Sequence, residues 1–199
     1  MKLLLRYVIS ILGSALVGVG VGICVVTGLG ADALGVLWEG LADKLPLTVG
    51  QVSLLVTAIC LIIVFVIDKK ELGLATLLNP LATSLLTDFT IRNIDLPKQV
   101  LLQLFFVVIG ISFIGIGSGI AAATNTGKEG YIALSFALSN KFKSDLAKVR
   151  MILDGICFML GTILSGKLMV GPVFGVLLIG PLLKITSQYC SKRMQGIQE

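Results

Sequence analysis

Three carboxylates in or beside apolar segments are the residues of this chain best suited to chemistry. Asp32 and Glu129 each come two residues after a glycine, at the start of a short apolar segment. An acid at a helix N-terminus satisfies free backbone N–H groups. The same position, at a helix that begins inside a membrane, can hold a cation, shuttle a proton or bind a polar solute. The sequence leaves two interpretations open, a helix cap and a substrate- or ion-binding site.

Asp154 is the third carboxylate, and it lies inside the apolar run 151–164. Acids inside membrane segments are rare and usually serve ion or proton movement. Arg150 precedes Asp154 by one helical turn, so the two side chains could also form a local ion pair. A coupling role for Asp154 and a structural pair with Arg150 are the alternatives.

Two asparagines could add uncharged polar groups to an internal cavity. Asn79 precedes Pro80 in one apolar segment, and Pro181 lies in another. A proline removes one backbone hydrogen bond, so both prolines are predicted either to kink or to break their helices. Asn79, and Asn125 in a polar turn, can each offer a donor and an acceptor to a cavity.

The composition places these residues in a membrane. The 199 residues are 56% hydrophobic and 14% charged, with a mean hydropathy of +1.01, which is too apolar for a soluble domain. The net charge of +5 lies at segment ends and predicts no nucleic-acid partner. There is no histidine and the four cysteines are isolated, so no metal or other cofactor is predicted. Without a nucleotide-binding or nucleophile motif, no enzyme is predicted either.

The chain contains one pattern twice. A shift of 97 residues superposes the glycines of the first part on glycines of the second. The matched residues are Gly13, Gly18, Gly20, Gly22 and Gly30 with Gly110, Gly115, Gly117, Gly119 and Gly127. Further along, Pro80 aligns with Pro181 after a short insertion in the second copy. We therefore predict two membrane repeats, 1–95 and 96–199, within one membrane domain.

Each repeat is predicted to contain three long helices and one short helix. The long helices are 4–26, 49–67 and 74–91, then 100–123, 146–164 and 170–190; the short ones are 31–44 and 129–142. The short segments, of about 14 residues, are poor full crossings, and we expect them to be re-entrant or tilted. Three crossings per repeat invert the second repeat relative to the first, whereas four leave the repeats parallel. The predicted fold is an all-α polytopic membrane protein with inverted repeats.

Basic residues predict the orientation of the chain. With the N-terminus inside, 12 Lys and Arg residues fall on the inner side and 4 on the outer side, for six spans and for eight. Charge therefore predicts cytoplasmic N- and C-termini but does not choose the number of spans. The shortness of the segments 31–44 and 129–142 favours six.

Glycines leave part of the surface of the first long helix of each repeat without side chains. They are Gly18, Gly20 and Gly22 in one and Gly115, Gly117 and Gly119 in the other. Small residues let membrane helices approach closely. The two helices are expected to pack together at the repeat axis, or to form thin walls beside a substrate path.

Several of these segments resemble a known family. The turn 27–34 (TGLGADAL), the segment 73–81 (GLATLLNPL) and the segment 175–182 (GVLLIGPL) are similar to the YczE/YyaS/YitT group of small bacterial membrane proteins. The resemblance extends over nearly the whole chain. It implies a bacterial cytoplasmic-membrane protein with duplicated helical units, and it carries over no catalytic residues.

The function predicted is transport of a small solute or ion, in a carrier or channel-like protein. The pathway would lie between the repeats, lined by the glycines with Asp32, Asn79, Asn125 and Glu129, and Asp154 would couple transport to an ion. Alternatives are a substrate-binding subunit of a multi-component uptake system and a non-transporting scaffold. The expected partners are the lipid bilayer, an unidentified small solute or ion, and a second copy or a partner membrane subunit. A closed, dry interior around Asp32 and Glu129 would contradict transport.

Overall fold

The described part of the chain is all helical. The computed structural model describes residues 2–67, 73–127, 129–165 and 170–196. Its helices are α1 (Lys2–Thr27), α2 (Ala33–Ala42), α3 (Val49–Ile67), α4 (Leu74–Asn93), α5 (Val100–Ala123), α6 (Gly130–Phe142), α7 (Leu146–Ser165) and α8 (Gly171–Gly196). The predicted order of long and short helices is confirmed. The charged run 68–71, which follows the predicted helix 49–67, and Lys128 lie outside the described residues.

Four of the described helices, α1, α3, α5 and α8, are long and apolar enough to cross a membrane. The protein is therefore a multi-pass membrane protein in contact with the lipid bilayer. Helices α4 and α7 have 20 residues each but carry more polar side chains. In α4 those side chains are largely buried against other helices: Asp88 accepts hydrogen bonds from the Gly50 N–H (2.8 Å) and the Thr48 hydroxyl at the start of α3.

Helices α1 and α5 pack against each other and run antiparallel. Gly13 lies against Gly117, and Gly20, further along α1, lies against Gly110. A methyl group at Gly13 would come within 2.7 Å of the Gly117 carbonyl oxygen, and one at Gly110 within 2.7 Å of the Gly20 carbonyl oxygen. The two backbones therefore touch, as glycine faces in a membrane allow.

Helices α1 and α4 pack in parallel. Asn79 bonds to Ser10 near the start of both helices. The hydroxyl of Thr83 then donates to the Ser14 carbonyl (3.0 Å), and the hydroxyl of Thr87 to the Gly18 carbonyl (3.2 Å). The contacts advance together along both helices, which fixes their common direction and buries the polar face of α4.

The remaining glycines predicted to shape this region lie against α4 and α8. Gly18 and Gly22 contact Thr83 and Thr90 of α4, while Gly115 contacts Ile179 and Leu182 and Gly119 contacts Leu183 and Thr186 of α8. The glycine faces of α1 and α5 therefore each serve two neighbours rather than only one another.

The prediction that Pro80 and Pro181 break their helices is wrong. Pro80 lies inside the continuous helix α4, and Pro181 inside the continuous helix α8. A proline removes one backbone hydrogen bond, and the bonds on either side can carry the helix past it. The packing also differs from the predicted alignment of the two prolines. Gly18 lies against Thr83 and Leu86, which both follow Pro80, whereas Gly115 lies against Ile179 and Leu182, which flank Pro181.

The short helices lie against long ones. Helix α2 packs on α7, where Gly40 and Gly161 let the two backbones touch, and α6 packs on α3, where Gly130 contacts Thr57. The loop before α2 reaches the start of α8, where the Gly171 N–H donates to the Leu29 carbonyl (2.8 Å). At 10 and 13 residues, α2 and α6 are too short to cross a bilayer.

Candidate functional site

A cavity of about 620 Å³ lies among α1, α4, α5, α6 and α8. Its polar lining residues include Ser14, Asn79, Ser118, Asn125, Thr126 and Glu129; its apolar ones include Val17, Ile132, Phe136 and Leu183. Three of the residues predicted to line a pathway, Asn79, Asn125 and Glu129, are thus brought together. A partly polar, partly apolar cavity of this size is typical of a small-molecule site.

The turn between α5 and α6 places Glu129 at the cavity. Asn125 has a φ of 52° and Gly127 a φ of 150°, conformations that favour asparagine and glycine. The hydroxyls of Thr124 and Thr126 lie 2.8 Å apart and close the turn. Glu129 precedes α6, but its side chain makes no capping hydrogen bond. The carboxylate is therefore available to the cavity rather than to the helix end.

Asn79 presents a fixed amide. It is buried in α4, and its amide NH₂ donates to the Ser10 hydroxyl (2.9 Å) while Ser10 and the amide oxygen lie 3.1 Å apart. This pair holds the side chain between α1 and α4. Because an amide has two N–H groups and two oxygen lone pairs, bonding capacity remains for a ligand.

Ser14 of α1 and Ser118 of α5 are lining residues that the sequence analysis did not single out. Neither hydroxyl forms a hydrogen bond with the residues the structure describes. Isolated serines in glycine-rich helices are usually packing residues, so composition gave no reason to choose them. The two hydroxyls add polar groups to a wall that is otherwise apolar.

Asp32 has a different environment from Glu129. Its side chain accepts a hydrogen bond from the Gly35 N–H (2.9 Å) and caps α2. Asp32 does not line the cavity. Of the two interpretations, the structure therefore shows the helix cap for Asp32, and Glu129 alone of these two acids faces the cavity.

Asp154 forms the ion pair that was one alternative for it. The Arg150 Nε lies 3.2 Å from the Asp154 Oδ1, with the side chains 37% and 33% exposed. The Tyr131 hydroxyl donates to the same carboxylate (2.7 Å), and the Arg150 guanidinium lies 4.6 Å from the centre of the Tyr131 ring. Tyr131 thus contacts both charged groups.

Arg150 also links the three predicted acids electrostatically. It interacts most strongly with Asp154 and more weakly with Asp32 and Glu129. The predicted acids therefore share one electrostatic environment, although they do not share one cavity. Among the described residues, no group of three His, Cys, Asp or Glu side chains is arranged to hold a metal ion.

Comparison with known proteins identifies the family but no activity. The chain is 29% identical over 178 residues to an uncharacterized protein of Haemophilus influenzae, covering 88% of this chain and 81% of that protein. It is 25% identical over 184 residues to the uncharacterized protein YyaS of Bacillus subtilis, covering 91% of this chain and 92% of that one. No solved structure matches significantly. The resemblance to a YyaS-type family is confirmed. With the family's sequence model matching residues 4–188, the chain belongs to the family of unknown function DUF6198.

Proposed function

We propose that this protein is a small-solute transporter of the bacterial cytoplasmic membrane that binds its solute in the cavity at Glu129. The observation that carries the proposal is the cavity itself, about 620 Å³ lined by Glu129, two asparagines and two serines. Polar groups inside a membrane protein most often mark a substrate or ion pathway.

Helix directions support six spans. Helices α1 and α4 are parallel, and α3 is antiparallel to α4, since Gly50 lies beside Asp88 and Leu61 beside the start of α4. If α1, α3 and α4 cross alternately, α1 and α4 point the same way, as observed. If α2 also crossed, α1 and α4 would point in opposite directions.

The same contacts support inverted repeats. Gly13 meets Gly117, which corresponds to Gly20 in the shifted alignment, and Gly20 meets Gly110, which corresponds to Gly13. A two-fold axis perpendicular to two antiparallel helices produces such reciprocal contacts. With upright helices, that axis lies in the membrane plane, the arrangement found in many secondary transporters.

A ligand screen followed by an uptake assay tests the proposal. The purified protein in detergent is heated with solutes of several classes, since a ligand that binds only the folded state raises the melting temperature. A hit should be lost in Glu129→Gln and kept in Asp32→Asn, the matched acid outside the cavity. Proteoliposomes should then accumulate the labelled hit.

The possible outcomes separate the alternatives. Binding without uptake would indicate a substrate-binding subunit that needs a partner. A well-folded protein with no ligand, and a cavity that water-soluble thiol reagents do not reach through Ser118→Cys, would contradict transport and favour a scaffold.

A further inference from the structure

The cavity lies at one of two related positions along α1 and α5, and the two positions differ in sequence. In the shifted alignment, Ser14 of the first repeat corresponds to Ile111, and Ser118 of the second repeat corresponds to Val21. Ile111 is 0% exposed and Val21 is 2% exposed, so larger apolar side chains are packed at the related position. Where the cavity has two serine hydroxyls, one from each repeat, the related position has packed hydrocarbon.

The acids differ in the same way. Glu129 corresponds to Asp32, but Asp32 is engaged by the Gly35 N–H while Glu129 makes no side-chain cap. Among the described residues, two serines and a carboxylate without a capping bond therefore occur together at the cavity and not at the related position. This coincidence points to one built site rather than to an accident of packing.

The Ser14 hydroxyl indicates that the site takes a polar ligand. Ser14 is only 5% exposed and lines the cavity, yet its hydroxyl bonds to none of the described residues. The Ser14 oxygen is not among the fully buried side-chain atoms that lack a partner, so it is open to the cavity. A ligand in the cavity can therefore donate to this hydroxyl or accept from it.

The charge of the lining decides the class of ligand. Among the described lining residues, Glu129 is the only charged one. Arg150 does not line the cavity and is held by Asp154 and Tyr131. A carboxylate in a largely apolar surround favours a positive partner and repels anions. The apolar wall, which includes Phe136 and Leu183, would accept a hydrocarbon body, and the volume exceeds the needs of a bare metal ion.

We infer that the cavity binds a small organic cation, a protonated amine on a short apolar body, with the ammonium group at Glu129 and the body between α1, α6 and α8. This inference rests on the proposed function, since it names the substrate class of the same cavity. The amine would pair with Glu129 and donate to Ser14, Ser118 or Asn79.

Three probes of similar shape and different charge test the inference. Benzylamine, benzyl alcohol and benzoate are titrated onto the full-length protein in detergent at neutral pH, with binding measured by calorimetry and by the shift in melting temperature. Benzylamine should bind at least tenfold more tightly than the alcohol or the carboxylate. Glu129→Gln should lower the amine affinity at least tenfold without changing that of benzyl alcohol, and Asp32→Asn should leave the amine affinity unchanged.

A second variant keeps the test decisive if Glu129→Gln does not fold. Ser118→Val introduces the residue found at the equivalent place in the other half, and it should weaken benzylamine binding by filling the cavity. Equal or tighter binding of benzyl alcohol or benzoate would overturn the cation inference and leave the cavity as a solute site.

Failure of all three probes would also overturn the inference, and thiol labelling then shows whether the proposed function fails with it. Ser118→Cys is made in a Cys190→Ser background, because Cys24, Cys60 and Cys157 are buried. Labelling by a water-soluble reagent would leave the proposed function standing with a different substrate. No labelling would contradict both.

Discussion

Replacing Gly13 by alanine tests the central contact between α1 and α5. The new methyl carbon would lie 2.7 Å from the Gly117 carbonyl oxygen and 2.9 Å from the Ala121 backbone nitrogen. Both atoms belong to a helix backbone, so relief requires the two helices to move apart. Overpacking of this kind costs about 1–3 kcal/mol, and the loss of close contact along the helices adds to it.

Gly155 provides the matched control, because a methyl group there meets no atom within 4 Å. Both substitutions replace a helical glycine by a better helix former, a gain of up to about 1 kcal/mol in water. The difference between the variants therefore isolates the contact. We expect Gly13→Ala to melt roughly 2–12 °C below Gly155→Ala, at about 2–4 °C per kcal/mol for a chain of this size.

The assay is thermal unfolding of both variants in the same detergent, followed by intrinsic fluorescence and by loss of the monodisperse peak in size-exclusion chromatography. Gly110→Ala repeats the test from α5, since its methyl carbon would lie 2.7 Å from the Gly20 carbonyl oxygen. Equal melting temperatures for all three variants would refute the close backbone contact and, with it, the helix arrangement on which the repeat argument depends.

Three further predictions concern the acids and the topology. Asp32→Ala removes a helix cap and should lower the stability of the protein by about 1 kcal/mol, whereas Glu129→Ala removes no cap and should change the melting temperature less. Tyr131→Phe removes the hydrogen bond to Asp154 and should cost about 1.5 kcal/mol, seen as a lower melting temperature, with Arg150 retained as partner. If six helices cross with the N-terminus inside, a membrane-impermeant reagent should label a single cysteine at Lys44 from outside, whereas a crossing by α2 would place that cysteine inside.

The sequence predicted where the helices lie in the chain better than it predicted which helices pack against each other. Glycines at equal positions of two apolar segments indicated that α1 and α5 are related, because only closely packed helices need so many. Which face of a helix meets which neighbour depends on how the helices are offset and rotated relative to each other. No single segment of the sequence determines that arrangement. Gly18 meets Thr83 of α4 and Gly115 meets Ile179 of α8, contacts that follow from the fold rather than from spacing.

The two acids show that equal positions in a repeat do not predict equal roles. Asp32 and Glu129 occupy the same place in the repeat, and the pattern gave them the same two interpretations. The shorter aspartate reaches the Gly35 N–H three residues ahead, as N-caps do, and the longer glutamate makes no such bond. Aspartate is among the preferred N-cap residues and glutamate is not. This preference was the available signal that Asp32 would cap its helix and Glu129 would not.

Ser14 and Ser118 could have been found by comparing the halves rather than by listing polar residues. A serine in an apolar helix attracts no notice alone. Set against Ile111 and Val21 at the matching positions, the two serines mark a place between the central helices where each helix carries a serine whose repeat-related residue is large and apolar. Departures from a repeat are thus more informative about the site than the repeat itself.

The asymmetry also constrains how a solute could cross under the proposed function. In a carrier with inverted repeats, the two halves exchange conformations, and the fixed site is exposed to each side in turn. The repeat-related residues Ile111, Val21 and the capped Asp32 cannot reproduce at their own position what Ser14, Ser118 and Glu129 provide at the cavity. The binding site therefore does not move from one of these two related positions to the other. Release has to come from movement around Glu129, and the short helix α6 that Glu129 precedes, joined to α5 by a turn with Gly127 at positive φ, is the element placed to supply it.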